Sequence, residues 1–133
     1  MSDQHFHAVI WIDHHEARIF FFNVSDAKEI VVRPKDPVRH IHHKANTIGS
    51  GHAPEDPDFL QHVTDALAGA GAILIIGPAN EKLALINHID RRAPALKPKI
   101  RGVETVDHPT DGEILALARR FFKDDLMEPP RAR

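Results

Sequence analysis

The chain has 133 residues, of which 42% are hydrophobic and 27% charged, and its formal net charge is −2. This length and composition fit one globular domain, and no apolar run approaches the roughly 20 residues that a membrane span requires. The slight negative charge argues against a strongly basic domain that binds duplex DNA by neutralising phosphates, so we expect neither DNA nor a membrane as a partner.

Two features of the composition bear on location and chemistry. The chain has no cysteine, and residues 1–4 lack the basic and apolar regions of a signal peptide, so we expect a cytoplasmic protein. It contains 11 histidines. Because histidine changes its charge near physiological pH, the net charge of the protein should depend steeply on pH.

The first third of the chain predicts an antiparallel meander. Residues 6–13 and 17–23 are β-branched and apolar and are typical of the two strands of a hairpin, and residues 29–33 predict a third strand. Residues 38–43 alternate weakly and are a candidate fourth strand. Residues 44–55 contain glycines and a proline without a hydrophobic period, which predicts a long exposed loop.

A helix and a strand follow the predicted loop. Asp56 and Pro57 are typical of a helix N-terminus, and apolar residues recur at helical spacing until Gly69. Residues 72–77 form an apolar run between glycines that is too short for a helix, which predicts a strand covered on both faces. We expect this run to be the central strand of the sheet.

A second helix is predicted to begin after Asn80 and to end at Ala93, before a proline. Its inward-facing residues are predicted to be Leu83, Ile86 and Ile89.

A strand over residues 99–106 and a third helix complete the pattern. Thr110 and Glu113 have the spacing of a capping box at the start of this helix. Its inward-facing residues are predicted to be Ile114, Leu117, Ala118 and Phe121.

The order of these elements predicts the fold class. A β-meander followed by alternating helices and strands indicates an α/β protein, with a mixed sheet that starts with an antiparallel β-meander and carries helices on its faces. This is the plan of ribonuclease H-like folds. We expect a single domain over residues 1–126 and a flexible C-terminal tail over residues 127–133.

Histidine and basic side chains surround the glycines of the predicted loop. Such side chains could follow an RNA phosphate backbone, and glycine lets the main chain approach it closely. A solvated loop with incidental histidines explains the same pattern without a ligand. The candidate RNA-binding residues in this stretch are His40, His42, His43, Lys44, Asn46, Gly49, Ser50, Gly51 and His52.

The same histidines raise the question of a metal site. His42 and His43 are adjacent, so on a strand they would point to opposite faces, and the spacing fits no compact zinc motif. We therefore predict no metal site and no cofactor.

A second group of basic residues extends from the second predicted helix to the last strand, and could meet RNA or be an ordinary solvated face. The candidates are Lys82, Arg91 and Arg92, with Lys97, Lys99 and Arg101 nearby.

Acidic residues supply an alternative, enzymatic hypothesis. Nucleases of this fold hold two metal ions with carboxylates at the end of the first strand and on later elements. Asp13 ends the first predicted strand, and the last strand and the turn after it carry Glu104, Asp107 and Asp111. Turn and helix-cap roles explain these residues without catalysis, so we predict no catalytic residue and keep a divalent-metal nuclease as the alternative.

Several short motifs resemble a known family. The junction from Ile73 to Lys82, and the strand, turn and helix after Lys99, are similar to the middle domain of archaeal and eukaryotic class I release factors and of the rescue factor Pelota. Residues 42–51 and 104–112 resemble still more closely short bacterial proteins of this superfamily, which are called translational machinery proteins.

This resemblance implies a translation-associated protein whose partner is the ribosome, through rRNA or tRNA. In release factors the loop after the meander carries Gly-Gly-Gln, which serves hydrolysis of peptidyl-tRNA. The corresponding residues here are Gly49, Ser50, Gly51 and His52, without glutamine. We therefore expect an RNA-binding module without hydrolase activity. The resemblance covers the middle domain alone, so a stand-alone termination factor is not expected, and a homodimer is left open.

Overall fold

The computed structural model describes residues 6–35 and 56–127. The predicted fourth strand, the loop before the first helix and the tail beyond residue 127 lie outside these ranges. The strands are β1 (His7–Ile12), β2 (Ala17–Phe22), β3 (Ala27–Val32), β4 (Ala72–Gly77) and β5 (Ile100–Thr105). The helices are α1 (Pro57–Leu67), α2 (Glu81–Arg92), α3 (Asp111–Phe121) and α4 (Lys123–Met127), and a 3-10 helix spans Pro94–Lys99.

The strands form one five-stranded sheet in the order β3-β2-β1-β4-β5. Strand β2 is antiparallel to β1 and β3, whereas β1, β4 and β5 are parallel. This topology confirms the predicted α/β class, with a mixed sheet that starts with an antiparallel meander. The prediction that β4 is the central strand is wrong, because β1 lies between β2 and β4. Strand β4 is nevertheless buried along its whole length, since β5 covers its outer side.

Helices cover the sheet on both faces, and this explains why β1 and β4 are continuously apolar. Alternate residues of a strand point to opposite faces. Accordingly Ile10 and Ile12 pack with α1 and α2 in one core cluster, whereas Val9 and Trp11 pack with α3 in the other. A strand between two such layers has no solvent face and carries no polar alternation. No helix in the two described ranges is long and apolar enough to cross a membrane.

The helix starts follow the predicted capping residues in two cases of three. The Asp56 carboxylate accepts a hydrogen bond from the Phe59 main-chain N–H, and the Thr110 and Glu113 side chains form the predicted capping box. Asn80 precedes α2 as predicted, but its side chain makes no capping hydrogen bond. Helix α2 therefore relies on packing more than on its cap.

Two inward-facing predictions are wrong. On α2, Leu85 and Ile89 are buried whereas Leu83 is 51% exposed. The inner face of α2 also carries the polar residue His88, so the buried face includes Ile89, as predicted, but leaves out Leu83. At the end of α3, Phe122 is buried and Phe121 is 39% exposed, because Phe122 continues the four-residue spacing of the buried Ile114 and Ala118.

Candidate functional site

The carboxyl ends of the parallel strands β1, β4 and β5 form one edge of the sheet, which we call the carboxyl edge. Ligands of open α/β sheets bind preferentially at such an edge. Strand β3 also ends here, since Val32 pairs with Ala17 and Ala17 pairs with Ile12. Helix α1 ends near the start of β4, so its first turn is directed towards the carboxyl edge. Both described flanks of residues 36–55 therefore lie on this side of the sheet.

Asp13 organises the turn between β1 and β2. One carboxylate oxygen, Oδ1, accepts hydrogen bonds from the main-chain N–H groups of His15 at 2.8 Å and Glu16 at 3.0 Å. The other oxygen, Oδ2, lies 3.7 Å from His108 Nε2 and 3.9 Å from His15 Nδ1. Asp13 thus has a structural role in the turn and also places a negative charge between two exposed imidazoles.

The loop after β5 is held against β1 by the single tryptophan. The Trp11 indole Nε1–H donates a hydrogen bond of 2.7 Å to the main-chain oxygen of Asp107. The His108 ring lies 5.2 Å from the Trp11 ring, and its Nδ1 is 2.9 Å from Asp107 Oδ1. These contacts fix the position of the imidazole although the His108 side chain is largely exposed.

Arg18 on β2 connects the turn, the tryptophan and the start of α3. Its guanidinium carbon lies 4.6 Å from the centre of the Trp11 ring, a cation–π contact. Nη1 donates a hydrogen bond of 2.8 Å to Asp111 Oδ1, and Nη2 donates one of 3.1 Å to the Pro109 main-chain oxygen. Nε lies 3.5 Å from Glu16 Oε2 and makes no hydrogen bond. The Arg18 guanidinium is therefore engaged by groups of the protein itself.

A further carboxyl group, that of Glu29, belongs to this network. Partial desolvation raises the pKa of Glu29, and the neighbouring Asp111 carboxylate, with which it shares a hydrogen bond, raises it further. Arg18 acts in the opposite direction and lowers the pKa of Glu29. Two carboxyl groups that share one site compete for ionisation.

Of the residues predicted to contact RNA, the basic group of Lys82, Arg91 and Arg92, with Lys97, Lys99 and Arg101 nearby, lies within the described residues. Lys82 is 7% exposed, and its ammonium donates a hydrogen bond of 2.6 Å to the main-chain oxygen of Ala79. This contact supports the turn before α2 and does not present the charge at the surface. Beside it, the Glu81 carboxylate lies 2.8 Å from His14 Nδ1.

Arg91 and Arg92 lie at the other end of α2. Both are exposed, and a helix of 12 residues is roughly 18 Å long. The structure therefore separates these arginines from the carboxyl edge, to which residues 36–55 are connected. The predicted RNA-binding residues from 40 to 52 lie outside the described ranges.

The three aspartates of the nuclease hypothesis are each engaged by other groups of the protein. Asp107 lies beside His108, Asp13 holds the turn, and Asp111 is paired with Arg18. Within residues 6–35 and 56–127, no group of three or more His, Asp or Glu side chains is arranged to hold a metal ion. The geometry gives the nuclease hypothesis no support.

A groove of about 470 Å³ runs between α3 and the loop that follows β5. Its apolar lining consists of Val106, Pro109, Ala116 and Leu117. Its polar lining consists of Asp107, His108, Glu113 and Arg120.

The sequence interpretation missed this groove. Glu113, Leu117 and Arg120 follow at helical spacing along α3, which is a signal that helix periodicity carries. Apolar spacing marks the inward face of α3 alone, so it gives no indication of a groove beside another face. The contact between Trp11 and Arg18 follows from the hairpin register, in which the two residues are paired.

Comparisons with known proteins give a structural likeness without a sequence match. No family model and no curated protein matches the sequence. Pelota from Archaeoglobus fulgidus is similar with a TM-score of 0.62 and 14% identity, over 90% of this chain and 32% of Pelota. Dom34 from S. cerevisiae gives a TM-score of 0.57 and 11% identity, over 92% of this chain and 35% of Dom34.

The archaeal translation termination factor aRF1 gives a TM-score of 0.51 and 15% identity, over 89% of this chain and 37% of that factor. The chain thus spans about a third of the length of each of these proteins. At such low identity the matches establish a shared fold, and they agree with the fold that the sequence motifs predicted.

Proposed function

We propose that this chain is a translation-associated RNA-binding module that contacts rRNA or tRNA on the ribosome. The observation that carries the proposal is the fold likeness over about nine-tenths of the chain. Among the similar proteins, aRF1 is a translation termination factor, and Dom34 is a termination-like factor involved in RNA quality control. A module of this kind would work in the cytoplasm, where translation takes place.

The proposed contact surface is the carboxyl edge together with the stretch connected to it. Residues 40–52 contain four histidines and Lys44. The exposed imidazoles of His15 and His108 lie on the same side of the sheet as the described flanks of that stretch. Together with Lys44, these side chains can donate hydrogen bonds to phosphate oxygens although the whole chain has a net charge of −2.

We further propose binding without hydrolysis of peptidyl-tRNA. The family resemblance assigns hydrolysis to Gly-Gly-Gln, and the corresponding residues here, Gly49 to His52, contain no glutamine. In the described part of the carboxyl edge, the carboxylates of Asp13 and Asp111 are engaged in a turn and an ion pair. In this proposal the side chains of the module bind RNA, and no side chain is assigned a catalytic step.

Co-sedimentation with 70S ribosomes, the bacterial form that the resemblance implies, tests the proposal at low and moderate salt. One variant replaces residues 43–52 by a short Gly-Ser linker, and a control variant carries Arg91→Ala and Arg92→Ala. We expect the wild type and the control to pellet with ribosomes and the linker variant to stay in the supernatant. Absence of wild-type protein from the pellet at both salt concentrations would overturn the proposal.

A further inference from the structure

We infer that the groove between α3 and the loop after β5 binds one unpaired nucleotide of RNA, with the base at the loop end and the phosphate at Arg120. This inference rests on the proposed function and deepens it, because it specifies single-stranded RNA and a particular base chemistry. It uses only residues that the structure describes.

The size and lining of the groove fit a nucleotide. Its volume of about 470 Å³ lies within the 300–1,000 Å³ that is typical of small-molecule sites. Val106, Pro109 and Leu117 provide an apolar surface on which the flat face of a base can lie. Single-stranded RNA is recognised by such stacking combined with hydrogen bonds to the exposed base edges.

The end of the groove near the loop is acidic. Glu113 uses its Oε1 oxygen to accept the Thr110 main-chain N–H, which leaves its other oxygen for a ligand. The Asp107 carboxylate is almost fully exposed, with Oδ1 at 2.9 Å from His108 Nδ1. Carboxylates accept hydrogen bonds from the exocyclic amine of cytosine and have no donor for the carbonyl that uracil carries at the same position. The groove should therefore prefer an amino-bearing base.

The other end of the groove is basic. Within the described residues the Arg120 side chain makes no ion pair or hydrogen bond, whereas the adjacent Arg119 donates to the main-chain oxygens of Asn23 and Asp26. Arg120 follows Glu113 by seven residues, which is two helical turns or roughly 10 Å along α3. That separation matches the distance from the edge of a base to its 5′-phosphate, so the polarity of the groove corresponds to that of a nucleotide.

His108 adds a flat ring beside the apolar lining. Its orientation is set by Asp107 on one side and by the Trp11 ring at 5.2 Å, so little rotamer freedom is lost when a base stacks on it. Histidine is one of the side chains on which unpaired RNA bases stack.

A peptide fits the same groove less well because the loop has few main-chain groups left to pair with it. The Val106 N–H donates to the Gly77 oxygen, the Asp107 oxygen accepts from Trp11, and the Pro109 oxygen accepts from Arg18. Proline also has no N–H to donate. An extended peptide depends on such groups for its main-chain hydrogen bonds, whereas a base does not.

The test is an NMR titration of the 15N-labelled full chain with cytidine 5′-monophosphate, uridine 5′-monophosphate and ribose 5-phosphate, each up to about 10 mM. We expect cytidine monophosphate to shift the amide signals of residues 106–120. Because one good contact to a base edge discriminates by at least about fivefold, the uridine nucleotide should bind at least that much more weakly. Ribose 5-phosphate should bind more weakly than either nucleotide.

Two variants and one control locate the contacts. Arg120→Ala should weaken binding of cytidine monophosphate at least about fivefold, and Asp107→Asn should reduce the preference for cytidine over uridine. Arg92→Ala removes the same charge from α2, outside the groove, and should leave binding unchanged. The amide spectrum of each variant reports whether the fold is intact.

Absence of shifts in residues 106–120 at the highest concentration of cytidine monophosphate would overturn the inference. Equal binding of ribose 5-phosphate, or equal loss with Arg92→Ala, would also overturn it, because the groove would then not read a base. If the wild-type protein co-sediments with ribosomes but binds no nucleotide, the proposed function stands and the assignment of the groove as a nucleotide site is wrong. If the protein binds cytidine monophosphate but does not co-sediment with ribosomes, the nucleotide site stands and the proposed function is wrong.

Discussion

The two ends of the sheet use their charged side chains differently. At the carboxyl edge, Asp13 holds a turn and Arg18 reaches across to Asp111. At the opposite edge, Arg91 and Arg92 are exposed, and within the described residues their side chains have no ion pair or hydrogen bond. A charge cluster seen in the sequence thus does not reveal whether the charges stabilise the fold or remain available to a ligand. The register of the strands and the direction of the helices determine which charged side chains are paired within the protein and which remain exposed.

The largest expected change in the free energy of unfolding comes from substitution of Trp11, which is buried beneath the carboxyl edge. Trp11→Ala should reduce the free energy of unfolding by about 3–5 kcal/mol, because it removes a large buried side chain together with its hydrogen bond to Asp107. Urea denaturation followed by circular dichroism measures this, since the variant has no tryptophan.

Trp11→Phe keeps an aromatic side chain but removes the indole N–H donor. This variant tests the hydrogen bond even if the alanine variant does not fold. It should cost about 1–3 kcal/mol, because the part-buried main-chain oxygen of Asp107 loses its hydrogen-bond donor. A cost below about 0.5 kcal/mol for this variant would show that the hydrogen bond does not hold the loop after β5 to β1.

An intermediate effect is expected at Arg18. Arg18→Met retains much of the aliphatic side chain but removes the hydrogen bonds to Asp111 and Pro109, and should lower the free energy of unfolding by about 1–3 kcal/mol. The matched change Arg92→Met at the opposite edge should stay within about 0.5 kcal/mol. Equal costs for the two substitutions would abolish the distinction between the two edges.

The smallest expected effect is the pH dependence of stability that arises from Glu29. Since the pKa of Glu29 is raised in the folded protein, the folded state holds this proton more tightly than the unfolded state. Stability should therefore fall as pH rises from the ordinary glutamate pKa through the raised one. Glu29→Gln removes this loss, and its melting temperature at pH 7 should exceed that of the wild type by about 1 °C.

Thermal melts of wild type and Glu29→Gln at pH 4 and pH 7 provide the measurement. The advantage of the variant should be larger at pH 7. An equal difference at both pH values would mean that the folded protein does not raise the pKa of Glu29.

Local patterns in the sequence predicted most of the fold. Capping residues such as Thr110 fixed the start of a helix, and the apolar run at β4 fixed a doubly covered strand. Where a helix carries a polar residue on its inner face, as α2 does with His88, apolar spacing identified Ile89 correctly and misplaced Leu83. The groove was not predicted because its lining comes from the largely exposed side of α3 and from the loop just before it, whereas apolar spacing marks only the side that is buried in the core.

The central position of β1 has a consequence for the order in which the protein acquires its structure. The parallel partner of His7 is Ala72, so 65 residues (72 − 7) separate the two strands in the chain. At 5–20 residues per second, synthesis of that interval takes about 3–13 s. During this time β1 has β2 on one side and nothing from β4 on the other. Aggregation of the nascent chain should therefore begin at this unpaired apolar strand.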